Sequence, residues 1–209
     1  FDPTSSTVIF SPAGVEALVP RATLEATWQR WWDESEARRR GTRPWKDYTP
    51  YELRSVSSLV RLGWPERALA MLDFFHADRR PAGWPQWAEV VWRDPRDPRF
   101  IGDMPHAWIS SDYIRSALDL LAYERDSDAA LVLAAGVSPA WLRSGPVEVR
   151  GLHTAHGRLG YRLTMAEGRV ALAVEPGLNR PPGGLWWAWQ GQWLPVPADG
   201  RLSVPAPGP

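Results

Sequence analysis

The feature that most constrains this chain is a change of hydrophobic period partway along it. As far as about Arg125, apolar residues recur at helical spacing. From Val147 onward they fall in short, strand-like runs separated by Gly and Pro. Such a pattern specifies a helical part followed by a β part, with the boundary near residues 126 to 146. The expected domains are 1–137, made of helical hairpins, and 138–209, a small antiparallel β domain with a Pro-rich tail.

In the first part, Thr7 to Phe10 reads as a short β-like run before the turn Ser11-Pro12-Ala13-Gly14. A helix is expected from Arg21, with Leu24, Trp28, Trp31 and Ser35 on one face. Arg38, Arg39 and Arg40 fill its last turn, where cations suit the helix dipole, and Gly41 stops it. Thr49-Pro50-Tyr51-Glu52 is a capping-box signature, with Thr as N-cap, Pro at the first helical position and Glu at the third. Gly63-Trp64 breaks that helix and Pro65 opens the next, so the pair reads as an antiparallel αα-hairpin. A further helix from about His106 to Arg125 is apolar over a wide arc and is expected to be buried by several neighbours.

In the second part, Ser138-Pro139-Ala140-Trp141-Leu142 reads as one short capped helix. Strands are expected at 147–152, 158–164, 170–174, 185–189, 192–196 and 201–204, with a hairpin turn at Ala166-Glu167-Gly168. Trp187 and Trp189 share one strand face. That face is either a sugar-stacking platform or a surface packed on the helical domain.

Between the helices, Arg80 to Pro105 contains five prolines and little periodicity. An ordered loop of this length in a compact domain is usually functional. Glu89 stands among aromatic residues in Trp84-Pro85-Gln86-Trp87-Ala88-Glu89. There it is either a carboxylate suited to acid/base work or an ion-pair partner of Arg93 or Arg96. Asp103 and His106 lie at the mouth of the following helix, as ligands for substrate hydroxyls or as its cap. Asp112, deeper in that helix, reads as structural. Asp94, Asp97 and Asp103 match no metal-loop spacing, and Asp-Pro pairs form ordinary turns, so no metal is expected. His153 and His156 read as surface residues. The chain has no GxSxG, no P-loop and no GxGxxG before a helix.

Composition narrows the function classes. Lys plus Arg equals Asp plus Glu at 24 each, which gives no electrostatic reason to expect nucleic acid or an acidic membrane. No apolar run has the length of a membrane span. The absence of Cys excludes disulfides, thiol catalysis and Cys-ligated zinc. The chain opens at Phe1 without an initiator Met and reads as a mature or excised segment, with export to the periplasm or beyond as the expected address. Trp is abundant, at 14 of 209, which suits either stacking on sugar rings or a core built of large residues.

Three stretches resemble a known family: TRPWKDYTPYELRSVSSLVRLGW, PAGWPQWAEVVWRDPRDPRFIGDMPHAWISSDYIRSALDLLAYERD and ALVLAAGVSPAWL. They are similar to the C-terminal part of bacterial six-hairpin glycosidase-like proteins, often labelled coagulation factor 5/8 type domain proteins. The resemblance spans roughly residues 1 to 180. It implies a partial (α/α)6 barrel, mainly α and followed by β, with the helix from Pro65 as an outer helix and that from His106 as an inner one. It implies carbohydrate as partner, no cofactor, and Glu89 as the base of an inverting hydrolysis. Trp84, Trp87, Trp92 and Trp108 would shape sugar subsites, and Asp103 and His106 would bind hydroxyls. Glycoside hydrolysis generally needs two carboxyl groups. The second would come from helices this chain lacks, so the chain alone is expected to be silent and to associate with an N-terminal part of the same protein or a second copy.

Overall fold

A computed structural model of the chain describes residues 2–208. It divides into two compact units, residues 1–118 and 119–209, earlier in the sequence than the expected boundary after Val137.

The first unit opens with helix α1 (Pro3–Ser6) and a 3-10 turn at Thr7–Ile9, where the sequence suggested a β-like run. The start signal is local: Asp2 caps α1, its carboxylate accepting the Ser5 N–H at 3.1 Å, and Pro3 follows it. Helix α2 (Arg21–Arg39) buries the expected face of Leu24, Trp28, Trp31 and Ser35. It ends in a Schellman motif: Thr42 N–H reaches Ala37 O at 3.0 Å and Gly41 N–H reaches Arg38 O at 3.1 Å, with Gly41 at φ 71°. After the short strand β1 (Asp47–Tyr48), Thr49 accepts the Tyr51 N–H at 3.3 Å and starts a 3-10 turn, Pro50–Leu53, that runs into α3 (Arg54–Arg61). Every residue of α3 from Ser55 to Arg61 is buried. A second Schellman end at Gly63 leads through Trp64 into α4 (Pro65–Ala77), which buries Ala68, Met71 and Phe75.

Glu52 does not close a capping box. Its buried carboxylate takes the Trp31 Nε1–H at 3.1 Å and both terminal nitrogens of Arg38, at 2.9 and 2.5 Å, tying α2 to the start of α3. A second hub forms at Asp78. Its carboxylate accepts the Tyr48 hydroxyl at 2.8 Å and pairs with Arg93 at 2.6 Å and Arg80 at 3.2 Å.

The long loop is more ordered than its prolines suggested. Strand β2 (Val91–Trp92) pairs antiparallel with β1, Tyr48 opposite Val91. The loop also folds back on itself. Glu89 N–H donates to Asp103 O at 3.0 Å, Gly102 N–H to Val90 O at 2.8 Å and Trp92 N–H to Phe100 O at 2.9 Å. At the tip, the carboxylates of Asp94 and Asp97 accept the N–H groups of Arg96 and Arg99, as turn-forming Asp residues do. Helix α5 (Ala107–Leu121) follows and continues across the division between the units.

The second unit holds β3 (Ala122–Arg125), β4 (Ala130–Leu133), helix α6 (Pro139–Ser144), and then β5 (Val147–Thr154), β6 (Gly157–Ala166), β7 (Arg169–Val174), β8 (Leu185–Trp189), β9 (Gln192–Pro195) and β10 (Arg201–Pro205). One sheet has the order β10-β7-β6-β5, antiparallel throughout. The other has the order β3-β4-β8-β9, with β4 and β8 parallel. Leu131, Leu133, Trp187 and Trp189 of the second sheet share one core with Tyr161, Leu163, Val170 and Leu172 of the first. The hairpin at Glu167-Gly168 is as expected, both residues at positive φ (52° and 70°), as a two-residue type I′ turn requires.

The expected partial (α/α)6 barrel is not present. Among the described residues the fold is mixed α/β, with six short helices and strands in three sheets. Two findings overturn the barrel. First, α3 is the helix buried on all sides, whereas α5, expected to be the buried inner helix, exposes Trp108, Ile114 and Leu118. Second, the helical pattern that seemed to reach Arg125 stops at Leu121. Ala122 to Arg125 pairs instead with Ala130 to Leu133, and an Arg125–Asp128 ion pair at 2.7 Å closes the turn. Cross-strand pairing overrode local helical periodicity here.

Candidate functional site

Two local structures of the first unit meet around Tyr51. The Thr49-capped turn presents Tyr51 and Arg54; the folded loop presents Glu89 and leads to His106 and Trp108 at the start of α5. The Tyr51 hydroxyl lies 2.6 Å from His106 Nε2, and the two rings meet edge to face at 5.4 Å. The Trp108 ring lies 6.1 Å from each of them and is 66% exposed. The Arg54 guanidinium sits 4.6 Å over the Tyr51 ring and is held by Asp112 at 2.7 Å. Asp112, read as structural, has that role here.

Glu89 is half-buried. Its backbone is fixed on both sides: its carbonyl accepts the Thr49 hydroxyl at 2.7 Å and its N–H binds Asp103 O. The ion pair with Arg93 that the sequence allowed does not form, because Arg93 goes to Asp78. The Glu89 carboxylate takes no hydrogen bond or ion pair among the described residues. Its charge is felt at Tyr51. Loss of hydration, and after it the Glu89 carboxylate, push the phenol above its ordinary value, and Arg54 only partly opposes them. The phenol therefore keeps its proton at neutral pH, and its hydroxyl and His106 Nε2 share one hydrogen bond in which either can donate, according to the imidazole tautomer. At Asp112, loss of hydration outweighs Arg54 and raises the carboxyl.

The other candidates separate. Trp87 is buried, donates its Nε1–H to Phe75 O at 2.9 Å and packs on His76 and Tyr113. Trp92 is buried with Lys46 Nζ 4.4 Å and the Arg99 guanidinium 4.0 Å from its ring. Neither has an open face for stacking. Trp84 is exposed in the loop, and Asp103 is exposed and contributes its carbonyl to Glu89. His106 stands immediately before α5 and its carbonyl accepts the Ser110 N–H at 3.2 Å, so it also serves the helix start. Trp187 and Trp189 lie in the second unit's own core rather than on a platform. No group of three or more His, Cys, Asp or Glu able to hold a metal occurs among the described residues, and none of their helices is long and apolar enough to cross a membrane.

Sequence reasoning missed Tyr51 and Arg54. Tyr51 was legible only as the middle of a helix-start signature, although Pro-Tyr-Glu-Leu-Arg sets a phenol and a guanidinium three residues apart, one helical turn on.

The arrangement joins an acceptor-only carboxylate, a phenol–imidazole pair and an open indole face. Comparison with known proteins adds nothing to this geometry: no family model, no curated protein and no solved structure matches the chain.

Proposed function

We propose that the Tyr51–Glu89–His106–Trp108 cluster binds a saccharide, and that Glu89 is the base of a glycosidic-bond hydrolysis. The observation that carries this reading is the half-buried Glu89, whose carboxylate has no hydrogen-bond or ion-pair partner among the described residues and acts on the Tyr51 phenol, itself 6.1 Å from an indole that is 66% exposed. A carboxylate accepts from sugar hydroxyls or from water, and an indole face covers the C–H side of a sugar ring. In the reaction Glu89 takes a proton from water as the water oxygen bonds to the anomeric carbon. The bond from that carbon to the leaving oxygen breaks, and an acid on the other side protonates that oxygen. Asp112 is committed to Arg54 at 2.7 Å, so this reading takes the acid from outside residues 1–209. The chain is then a segment of a carbohydrate-active enzyme that binds but does not turn over alone.

The test has two parts. Calorimetry of the chain against a panel of neutral oligosaccharides should find binding that Trp108→Ala weakens about tenfold, a stacking contribution of ~1–2 kcal/mol. In the intact protein, Glu89→Gln should abolish hydrolysis and keep binding. Absence of any saccharide binding sinks the site. Unchanged turnover in Glu89→Gln removes Glu89 as base and leaves a non-catalytic binding module. That second reading is favoured by Glu89 being the one carboxylate of the Tyr51–Glu89–His106–Trp108 cluster; a purely structural role draws on the burial of Trp28, Trp31, Trp87 and Trp187.

A further inference from the structure

The outer face of the antiparallel sheet in the second unit carries a row of cations that no element of the first unit's site uses. Register fixes the row. Glu148 of β5 stands opposite Arg162 of β6, Arg162 opposite Ala173 of β7, and Ala173 opposite Arg201 of β10. The next row along the same face is Thr164, Ala171 and Ser203. Two small residues on the central strand therefore form a floor between two guanidinium-bearing walls. With neighbouring strands ~4.8 Å apart, the Arg162 and Arg201 backbones stand roughly 10 Å from each other. The trough encloses about 420 Å³ and is lined by Arg162, Thr164, Ala171, Ala173, Arg201 and Ser203. That volume fits a ligand of one or two sugar rings.

The charges do not cancel. Glu148 is shared between Arg162, at 2.7 Å, and Arg150. Arg169 reaches Ser203 through Nε at 2.9 Å and Nη2 at 3.0 Å, which brings another cation to the end of the trough. Arg201 is exposed and its guanidinium has no ion pair among the described residues; Asp199 beside it accepts the Arg201 backbone N–H at 3.1 Å. Arg150, Arg162, Arg169 and Arg201 thus outnumber the acids around them, which are Glu148, Glu175 over Gly160 one row beyond Arg162, and Asp199 beside Arg201.

We infer that this trough binds an acidic saccharide, its carboxylate or sulfate held between Arg162 and Arg201 and its hydroxyls meeting Thr164 and Ser203. Guanidinium forks match planar or tetrahedral oxyanions with paired hydrogen bonds. The lining contains no aromatic ring, which disfavours single-stranded nucleic acid, whose bases stack on aromatic side chains. The site lies wholly within the second unit and does not depend on the reading of Glu89.

The experiment is calorimetry of the whole chain at low salt with digalacturonate, a heparin-derived disaccharide and maltose, for the parent, Arg201→Glu and Ala173→Leu. Both changes are at the sheet surface, and the second fills the trough without altering charge. The expected result is that acidic disaccharides bind and lose at least tenfold in affinity in each variant, while any affinity for maltose is unchanged. The digalacturonate and heparin arms assign the anion as carboxylate or sulfate. The inference is overturned if neither acidic disaccharide binds, or if Ala173→Leu binds them as well as the parent does. Duplex DNA bound more tightly than the disaccharides and sensitive only to Arg201→Glu overturns it too, in favour of a general cationic surface.

Discussion

Replacing Trp108 and Trp187 in turn by Ala should give opposite outcomes, and the pair tests the division between site and core. Trp187 is 0% exposed and packs on Trp189 with ring centroids 5.6 Å apart. Burying about 200 Å² of indole at ~25 cal/mol per Å² is worth about 5 kcal/mol, in line with the ~3–5 kcal/mol measured for large-to-Ala changes in cores. Against a typical stability of ~5–15 kcal/mol, Trp187→Ala should bring the second unit close to unfolding, a fall of roughly 15 °C or more in midpoint. Trp108 is 66% exposed, so its truncation should cost about 1 kcal/mol or less, while saccharide affinity falls about tenfold. Urea titration followed by circular dichroism gives the stabilities, and calorimetry with the bound oligosaccharide gives the affinities. A Trp187→Ala protein with an unchanged urea midpoint but lost binding would refute the core assignment and restore the strand as a platform. A Trp108→Ala protein that loses ~3 kcal/mol of stability, or binds as well as the parent, would refute the open indole face.

Two further expectations concern the hubs of the first unit. Glu52→Ala removes the partner of the half-buried Arg38 and orphans the Trp31 N–H, so it should destabilise by about 3–5 kcal/mol in urea titration; a loss below ~1 kcal/mol would show the pair to be dispensable. His76 packs on Trp87 and Tyr113, and loss of hydration, with Arg79 nearby, lowers its imidazole below the ordinary 6.5. The neutral ring is the form the fold prefers. Its contribution is therefore complete above the unfolded-state value and is lost as pH falls through the lowered one. Stability should decline as pH falls below the ordinary imidazole value of 6.5, and His76→Gln should flatten that part of the profile; an identical slope in the variant rules His76 out as its origin.

What the sequence made legible is what is local. The buried face of α2, the Gly41 and Gly63 helix ends, the Pro65 start, the Glu167-Gly168 hairpin and the bounds of β8 each follow from residues within a few positions of one another. What it hid depends on distant partners. Glu52 carries the signature of a capping box, yet a guanidinium from another helix offers a stronger, paired interaction than the backbone N–H of Thr49. Ala122 to Arg125 continues a helical stripe, yet β4 is available for pairing. The barrel expectation failed at the second of these places, because it required one helix from His106 to Arg125 where β3 takes over after Leu121. Of the site, the loop and three of its side chains could be picked out from aromatic density and polarity. Tyr51 could not, because a helix-start motif accounted fully for its neighbours.

Thr49 explains how the loop can carry Glu89 without an ion pair to anchor it. A half-buried carboxylate is ordinarily held by a cation, and that cation would also quench it as an acceptor. Here the backbone does the holding. The Thr49 hydroxyl donates to Glu89 O at 2.7 Å while its oxygen accepts the Tyr51 N–H at 3.3 Å, so one side chain fixes Glu89 and Tyr51 relative to each other. The Asp103 carbonyl holds Glu89 from the opposite side, and the fold-back of the loop then leads to His106. Two of the loop's cations are engaged away from Glu89: Arg93 by Asp78, Arg99 by Asp97 and the Trp92 ring. The prolines and aspartates that make the segment look irregular in sequence thus build a hydrogen-bonded fold-back, which holds the Glu89 backbone while its carboxylate stays without a partner among the described residues. Such preorganisation by surrounding structure is what separates a binding group from a surface charge.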